Sequence, residues 1–194
     1  MTQSHQFRRI CVYCGSQSGT RLEYAHAAMQ MGTLLAQSGI GLVYGGGSIG
    51  MMGVLADAAL RAKGEVIGVI PKKLVDLEQG HAGLTEMHVV KDMHERKAKM
   101  ADLCDGFIAL PGGFGTLEEL AEAITWAALN YHLKPVGLLN VSGYYDQLLG
   151  FIEHAINQGF VRPAHSGLLT SDVNASDLLD RMRNAHIPTL DEWI

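Results

Sequence analysis

Short apolar runs alternate with segments of helical spacing along the whole chain. The run Gly106–Leu110 carries no polar side chain, which is typical of a central parallel strand covered by helices. The alternation predicts an α/β fold: a single doubly wound, Rossmann-like parallel sheet with helices on both faces. The predicted strands cover residues 9–13, 40–44, 65–70, 86–90, 106–110, 136–139 and 168–170, and the predicted helices cover 24–37, 49–63, 93–104, 117–129, 144–158 and 175–184.

Composition narrows the class further. The 194 residues contain no linker or repeat, so one domain over residues 1–194 is expected. A formal net charge of −5 argues against general binding of nucleic acid or of membrane surfaces, which needs a positive field. No early segment combines a basic start with a long apolar run, so neither a signal peptide nor a membrane span is expected.

The cysteines favour a reducing compartment. Cys11, Cys14 and Cys104 are an odd set and poor material for a disulfide framework. Cys11 and Cys14 spell C-x-x-C, but they lie on a predicted strand, whereas a redox pair uses a helix N-terminus. We therefore expect reduced thiols and a cytoplasmic protein.

The strongest chemical motif is the turn Pro111-Gly112-Gly113-Phe114-Gly115-Thr116, which follows the central strand. Its glycines let the backbone approach a ligand, and the next helix offers free N–H groups and its positive dipole end. This arrangement predicts a phosphate site. Thr116 and Glu119 also have a purely local interpretation, because they match a capping box that would start a helix without any ligand.

A second glycine turn, Gly45-x-Gly47-x-x-Gly50, matches the dinucleotide fingerprint. The acidic residue expected at the end of the next strand is missing, since Glu65 stands at that strand's beginning. The pattern therefore favours a smaller nucleotide over NAD. Because ligands of open α/β sheets bind beyond the carboxyl ends of the strands, this turn, Cys14-Gly15-Ser16 and the Pro111 turn should converge on one pocket.

The segment Met93-His94-Glu95-Arg96-Lys97-Ala98-Lys99-Met100 leaves two interpretations open. It is either an amphipathic helix with a solvated basic edge or part of a site. No second ligand stands at a zinc-like spacing from His94, so no metal is expected.

These motifs together resemble the LOG (Lonely Guy) family of cytokinin riboside 5′-monophosphate phosphoribohydrolases, which are often mislabelled as lysine decarboxylases. The resemblance rests on the Pro111–Thr116 turn with Glu119 and on the upstream Met93–Lys97. It runs from Cys11 to at least Trp126 and is less marked beyond about residue 165.

The resemblance implies a homodimer that cleaves the N-glycosidic bond of a nucleoside 5′-monophosphate, such as AMP or a cytokinin riboside 5′-monophosphate. The products would be the free base and ribose 5-phosphate, without a metal or another cofactor. It implies that Arg96 and Glu119 are catalytic, with Glu118 as neighbour or substitute. The binding residues that the resemblance implies are Gly113, Phe114, Gly115, Thr116, Leu117, Lys97, Thr125 and Glu78. The expected convergence of the glycine turns adds Ser16, Gly45 and Gly46.

The expected chemistry follows from the bond that breaks. Positive charge develops on the ribose as the base departs, so a carboxylate near C1′, assigned to Glu119, would stabilise it and activate water. Arg96 would stabilise charge or position the substrate. The base is expected to contact the irregular segment 72–85 and the helix Met93–Met100.

Two rival functions remain open at this point. A lysine decarboxylase would need pyridoxal phosphate on a buried lysine, but the lysines lie in charged, exposed-looking stretches. A non-catalytic nucleotide-binding or carrier protein would need the glycine turn, but it would not need both Arg96 and Glu119.

Overall fold

All seven predicted strands form, and they join in one parallel sheet. The computed structural model describes residues 4–75 and 77–188. The strands are β1 (Arg9–Tyr13), β2 (Gly41–Tyr44), β3 (Val66–Pro71), β4 (Glu86–Val90), β5 (Phe107–Ala109), β6 (Val136–Leu139) and β7 (Leu169–Asp172). The α-helices are α1 (Leu22–Gln37), α2 (Gly50–Arg61), α3 (Met93–Leu103), α4 (Phe114–Ala128), α5 (Asp146–Asn157) and α6 (Ala175–Arg183).

The strand order is β4-β3-β2-β1-β5-β6-β7. The chain first builds outward from β1 to β4, then returns to the other side of β1 and builds outward again. Cys11 of β1 therefore pairs with Val43 of β2 on one side and with Phe107 of β5 on the other. This reversal between β1 and β5 is the topological switch point, where open α/β sheets bind ligands.

Helices cover both faces of the sheet, as predicted. Successive side chains of β1 point to opposite faces, so Ile10 and Val12 join a core with α1, α2 and α6. Cys11 and Tyr13 join a second core, to which α3, α4 and α5 contribute. The doubly wound α/β prediction is confirmed.

Helix α4 begins three residues before its predicted start. Gly113 is the N-cap, with φ −93° and ψ −154°, so Phe114 is the first helical residue. Thr116 already lies inside the first turn, where it cannot act as the capping residue. The capping-box interpretation of Thr116 and Glu119 is therefore wrong, and a conformation of Gly113 that local pattern does not reveal is the reason.

The other boundaries lie within two residues of their predicted positions. Helix α5 starts at Asp146 because a 3₁₀ turn, Val141–Gly143, precedes it, with positive φ at Ser142 (51°) and Gly143 (73°). The segment 72–85 is less irregular than predicted. It contains a 3₁₀ turn at Lys72–Leu74 and an antiparallel bridge between Gly80 and Gly47.

In residues 4–75 and 77–188, every helix is too short or too polar to cross a bilayer.

Candidate active site

A cavity of about 280 Å³ opens at the carboxyl ends of β1, β2 and β5. The turn after β1 contributes Gly15 and Ser16, the turn after β2 contributes Gly45, and the start of α4 contributes Gly113–Thr116. The three glycine-bearing turns therefore meet at one pocket, as the sequence predicts. The pocket lies at the switch point because the chain that leaves β1 and the chain that leaves β5 cross over opposite faces of the sheet.

The glycines of the Pro111 turn have two different roles. A Cβ at Gly112 would collide with the side chain of Thr116, so the fold itself requires glycine there. A Cβ at Gly113 or Gly115 would meet no protein atom within 4 Å. Glycine in a helix is less stable than alanine by about 1 kcal/mol, and nothing in the fold compensates for this at Gly115. Bare backbone facing a cavity at a helix N-terminus is suited to a bound anion.

Arg96 is buried in this site, with 6% of its side chain exposed. Its Nε donates to the carbonyl of Val69 (3.1 Å), and its Nη2 donates to the carbonyl of Gly45 (2.8 Å) and to Glu78 Oε2 (3.3 Å). A side chain at Gly45 would collide with the guanidinium. Of the two interpretations of this segment, the solvated basic edge is thus wrong for Arg96, because two backbone carbonyls and a carboxylate replace its water.

Glu119 lines the same cavity and is half-buried. Burial raises the pKa of its carboxyl to about 7, Arg96 opposes that shift, and Glu118 and Glu78 add to it. A carboxyl group with such a pKa is about half ionised at neutral pH, which suits acid–base chemistry. Because α4 starts at Phe114, Glu119 is not engaged in capping it.

Lys97, the next residue on α3, is also buried but does not line the cavity. Its Nζ donates to Glu118 Oε1 and, at 2.8 Å, to Glu122 Oε2, so it ties α3 to α4. Burial lowers the pKa of Lys97, but the two carboxylates outweigh it, and the net shift is upward. The solvated-edge interpretation is therefore wrong for Lys97 as well.

The other predicted site residues divide into two groups. Ser16, Phe114 and Glu78 line the cavity, and so does Glu118, although its carboxylate pairs with Lys97. Leu117, Gly46 and Thr125 do not line it. Gly46 lies against Ile70 and Met87, and the Thr125 hydroxyl donates to the carbonyl of Ala121 on its own helix.

One wall of the cavity is apolar. Leu74 and Met93 come from the segments predicted to contact a base, and Met100 lies deeper on the same helix α3. Sequence reasoning missed Met52 and Val12, which also line the cavity. No local signal identifies them, because methionine and valine at these spacings are typical of a core.

The second glycine turn is explained by packing. Met51 N–H donates to the carbonyl of Gly15 (3.1 Å), and a Cβ at Gly50 would collide with Ser16. The start of α2 is therefore occupied by the turn after β1. Glu65 forms an ion pair with Arg9 (2.8 Å) at the amino end of the sheet, far along the strand from the pocket. Both findings agree with the prediction against NAD.

The fold and site define a Rossmann-like protein with an open helix start, a buried arginine and a carboxyl group at the switch point. The family described as "Possible lysine decarboxylase" matches residues 52–182. Cytokinin riboside 5′-monophosphate phosphoribohydrolase LOG1 of Arabidopsis thaliana is 50% identical over 179 residues, which are 92% of this chain and 84% of that protein. LOG of Oryza sativa subsp. japonica is 52% identical over 174 residues, 90% of this chain and 72% of that protein. The chain belongs to the LOG family.

Solved structures show the same fold. The molybdenum cofactor binding protein of Rippkaea orientalis has a TM-score of 0.68 at 25% identity, over 91% of this chain and 96% of that one. The molybdenum cofactor carrier protein of Chlamydomonas reinhardtii has a TM-score of 0.67 at 22% identity, over 88% and 92%.

The raised pKa of Glu119 predicts a pH-dependent stability. The folded state holds this proton more tightly than the unfolded chain, so the stabilisation is full below about pH 4.5 and is lost as pH rises through about 7. Glu119→Gln does not titrate. Between pH 5 and pH 8 its free energy of unfolding should therefore rise relative to the parent protein, by up to about 3 kcal/mol, as measured by urea denaturation.

Glu153→Gln on the exposed surface of α5 is the control, since it removes a carboxyl group without changing the pocket. If Glu119→Gln and the parent protein keep the same difference in unfolding free energy at both pH values, the assigned pKa is wrong.

Proposed function

We propose that this chain is a hydrolase that cleaves the N-glycosidic bond of a nucleoside 5′-monophosphate and releases the free base and ribose 5-phosphate. The observation that carries the proposal is that a bare helix start, a buried arginine and a carboxyl group of raised pKa line one cavity. The curated relatives at 50% identity, which are named for this reaction on cytokinin riboside 5′-monophosphates, support it.

The 5′-phosphate binds at the start of α4. The first N–H groups of a helix have no partner within it, and Gly113 and Gly115 leave the approach to them open. Binding energy gained at this remote group holds the ribose in place for reaction. A preference for the monophosphate over the free nucleoside follows.

Glu119 acts at the sugar. The C1′–N bond breaks with its electron pair going to the base, and the ribose gains oxocarbenium-like charge. The carboxylate stabilises that charge and accepts a proton from the water whose oxygen bonds to C1′, and the departing base takes up a proton from solvent to leave as the free base. Glu118 is the weaker candidate, because its carboxylate is paired with Lys97 and 53% of its side chain is exposed.

Arg96 provides a fixed positive charge at the reacting end. Its bonds to the Val69 and Gly45 carbonyls hold the guanidinium in one orientation. A guanidinium is a poor proton donor, so its role is to stabilise the charge of the departing base and to position Glu119. The apolar wall of Leu74, Met93 and Met100 receives the base, and both adenine and an N6-prenylated adenine are candidates.

The lysine decarboxylase function does not fit the lysines. Among residues 4–75 and 77–188, the buried lysine is Lys97. Its amine is held by two carboxylates and has a raised pKa, whereas a Schiff base forms from a neutral amine. A non-catalytic carrier would share the fold but has no need of Arg96 and Glu119 together.

Base release tests the role assignment. Incubation with AMP should yield free adenine, measured by liquid chromatography. Glu119→Gln should reduce kcat by at least about 100-fold, since general base catalysis supplies that much or more. Arg96→Lys should also reduce it, because a lysine cannot reproduce the paired bonds to Val69 and Gly45.

Glu118→Gln should change kcat by less than about fivefold, since it removes only a partly exposed ion pair. Near-parent turnover by Glu119→Gln would contradict the assignment. Stable binding of AMP with no adenine released by the parent protein would instead favour the carrier.

If the start of α4 binds phosphate, Gly115→Ala should make the protein more stable and its binding of AMP weaker. Gly115→Ala adds helix propensity, which stabilises the protein by up to about 1 kcal/mol. The added methyl group fills the approach to the helix start, so the KM for AMP should rise at least about tenfold through the loss of a hydrogen bond to a charged group. Thermal unfolding and steady-state kinetics measure the two effects.

Gly150→Ala is the matched control, because Gly150 lies on α5 and also has no atom within 4 Å of an added Cβ. It should leave the KM unchanged. An unchanged KM in Gly115→Ala would place the phosphate elsewhere.

We also propose that the protein is a homodimer. Helix α5 has no fully buried residue, and large apolar side chains are exposed on and after α4 and α5. These are Leu129, Tyr131, Leu133, Phe151 and Phe160. Such a concentration is typical of a protein–protein interface.

Phe160→Glu should therefore shift the protein from dimer to monomer in sedimentation velocity. Val173→Glu, at an exposed valine next to α6 on the opposite face, should not. A monomeric parent protein would overturn the proposal.

A further inference from the structure

Three successive carbonyl groups at the end of β5 are each fixed by a hydrogen bond. The Tyr145 hydroxyl donates to the carbonyl of Leu110 (2.7 Å), and Gly15 N–H donates to that of Pro111 (3.1 Å). The Tyr144 hydroxyl donates to the carbonyl of Gly112 (2.6 Å). Two of the three donors are therefore adjacent tyrosines that no sequence motif pointed to.

The bond from Tyr144 determines the orientation of one peptide group. The described residues contain no cis peptide, and in a trans peptide the C=O and the following N–H point in opposite directions. With the carbonyl of Gly112 directed at Tyr144, the N–H of Gly113 is directed away from it. Gly113 itself lines the cavity.

This peptide group needs an external restraint. It joins two glycines, the residues with the widest backbone freedom, and Gly113 has no neighbouring atom within 4 Å of an added Cβ. A hydrogen bond donated to the carbonyl holds the plane in place. It also polarises the amide and strengthens its N–H as a donor.

Tyr144 is itself held firmly. Its ring packs edge-on against Tyr24 (centroids 5.5 Å apart) and Tyr145 (4.8 Å apart). The preceding 3₁₀ turn, Val141–Gly143, fixes the backbone before it. Yet 42% of Tyr144 is exposed, so its hydroxyl can be removed without opening the core.

We infer that Tyr144 is a positioning residue for an anionic phosphate: its hydroxyl holds the Gly112–Gly113 peptide so that the Gly113 N–H faces the group bound at the start of α4. The inference rests on the proposed function for the identity of the substrate, but the phosphate site can be tested without turnover.

The test compares Tyr144→Phe with the parent protein. Loss of one hydrogen bond of ordinary strength, about 1 kcal/mol, weakens binding about fivefold. The KM for AMP and the dissociation constant for inorganic phosphate should rise by that factor, whereas kcat should change less than twofold. Phosphate binding is measured by titrating ¹⁵N-labelled protein and following the amide signals of Gly113 and Gly115.

Tyr24→Phe is the control, because Tyr24 belongs to the same aromatic stack but does not contact Gly112. Weaker phosphate binding by Tyr144→Phe alone supports the inference, even if no adenine is ever released from AMP; in that case only the proposed hydrolysis fails. Equal phosphate affinity of Tyr144→Phe and the parent protein overturns the inference. So does the absence of phosphate binding to the parent protein, or an equal loss in Tyr24→Phe.

Discussion

The parallel pairing of β1 with β5 is the constraint on which the rest of the structure depends. Cys11 and Tyr13 pair with Phe107 and Ala109 at the place where strand order reverses. The helices after these two strands cross to opposite faces, so the strand ends leave a crevice that packing does not fill. The helix start of α4 and the turn after β1 border this crevice, and the guanidinium of Arg96 reaches it from α3.

In and beside the crevice, the two buried cations do not pair with every carboxyl group. Arg96 pairs directly with Glu78, and Lys97 pairs with both Glu118 and Glu122. Glu119 is left with burial and carboxylate neighbours that raise its pKa, which the charge of Arg96 only partly offsets. The same arrangement that lowers stability above neutral pH gives the site a group that exchanges protons there. A loss of folding stability at a functional site is expected when the group that the chemistry needs is poorly solvated in the folded protein.

Particular elements show how far sequence reasoning reached. Strands β1, β4 and β6 begin and end at the predicted residues, because the polar, glycine or proline residues that flank these short segments mark their ends locally. The predicted start of α4 was wrong because Thr116 and Glu119 fit a capping box by spacing alone. In the structure the extended residue Gly113 is the N-cap, so the helix begins at Phe114. Arg96 and Lys97 were predicted as candidates, but their burial was not. A basic pair on a helix normally faces water, and the carbonyls and carboxylates that replace it come from residues 18 to 51 positions away.

By itself, the sequence determined the class of fold and the convergence of the glycine turns, because periodicity and motif spacing are local properties of the chain. Glu119 and Arg96 became candidates through the resemblance of their motifs to the LOG family. Only the tertiary structure decided the environment of each group. It paired Glu118, but not Glu119, with Lys97, and it left Thr125 and Gly46 outside the pocket lining. It also brought the Tyr144 hydroxyl within hydrogen-bond distance of the Gly112 carbonyl. These outcomes depend on contacts between segments far apart in the chain, and the free energy of burying a charge or orienting a peptide is set where those segments meet.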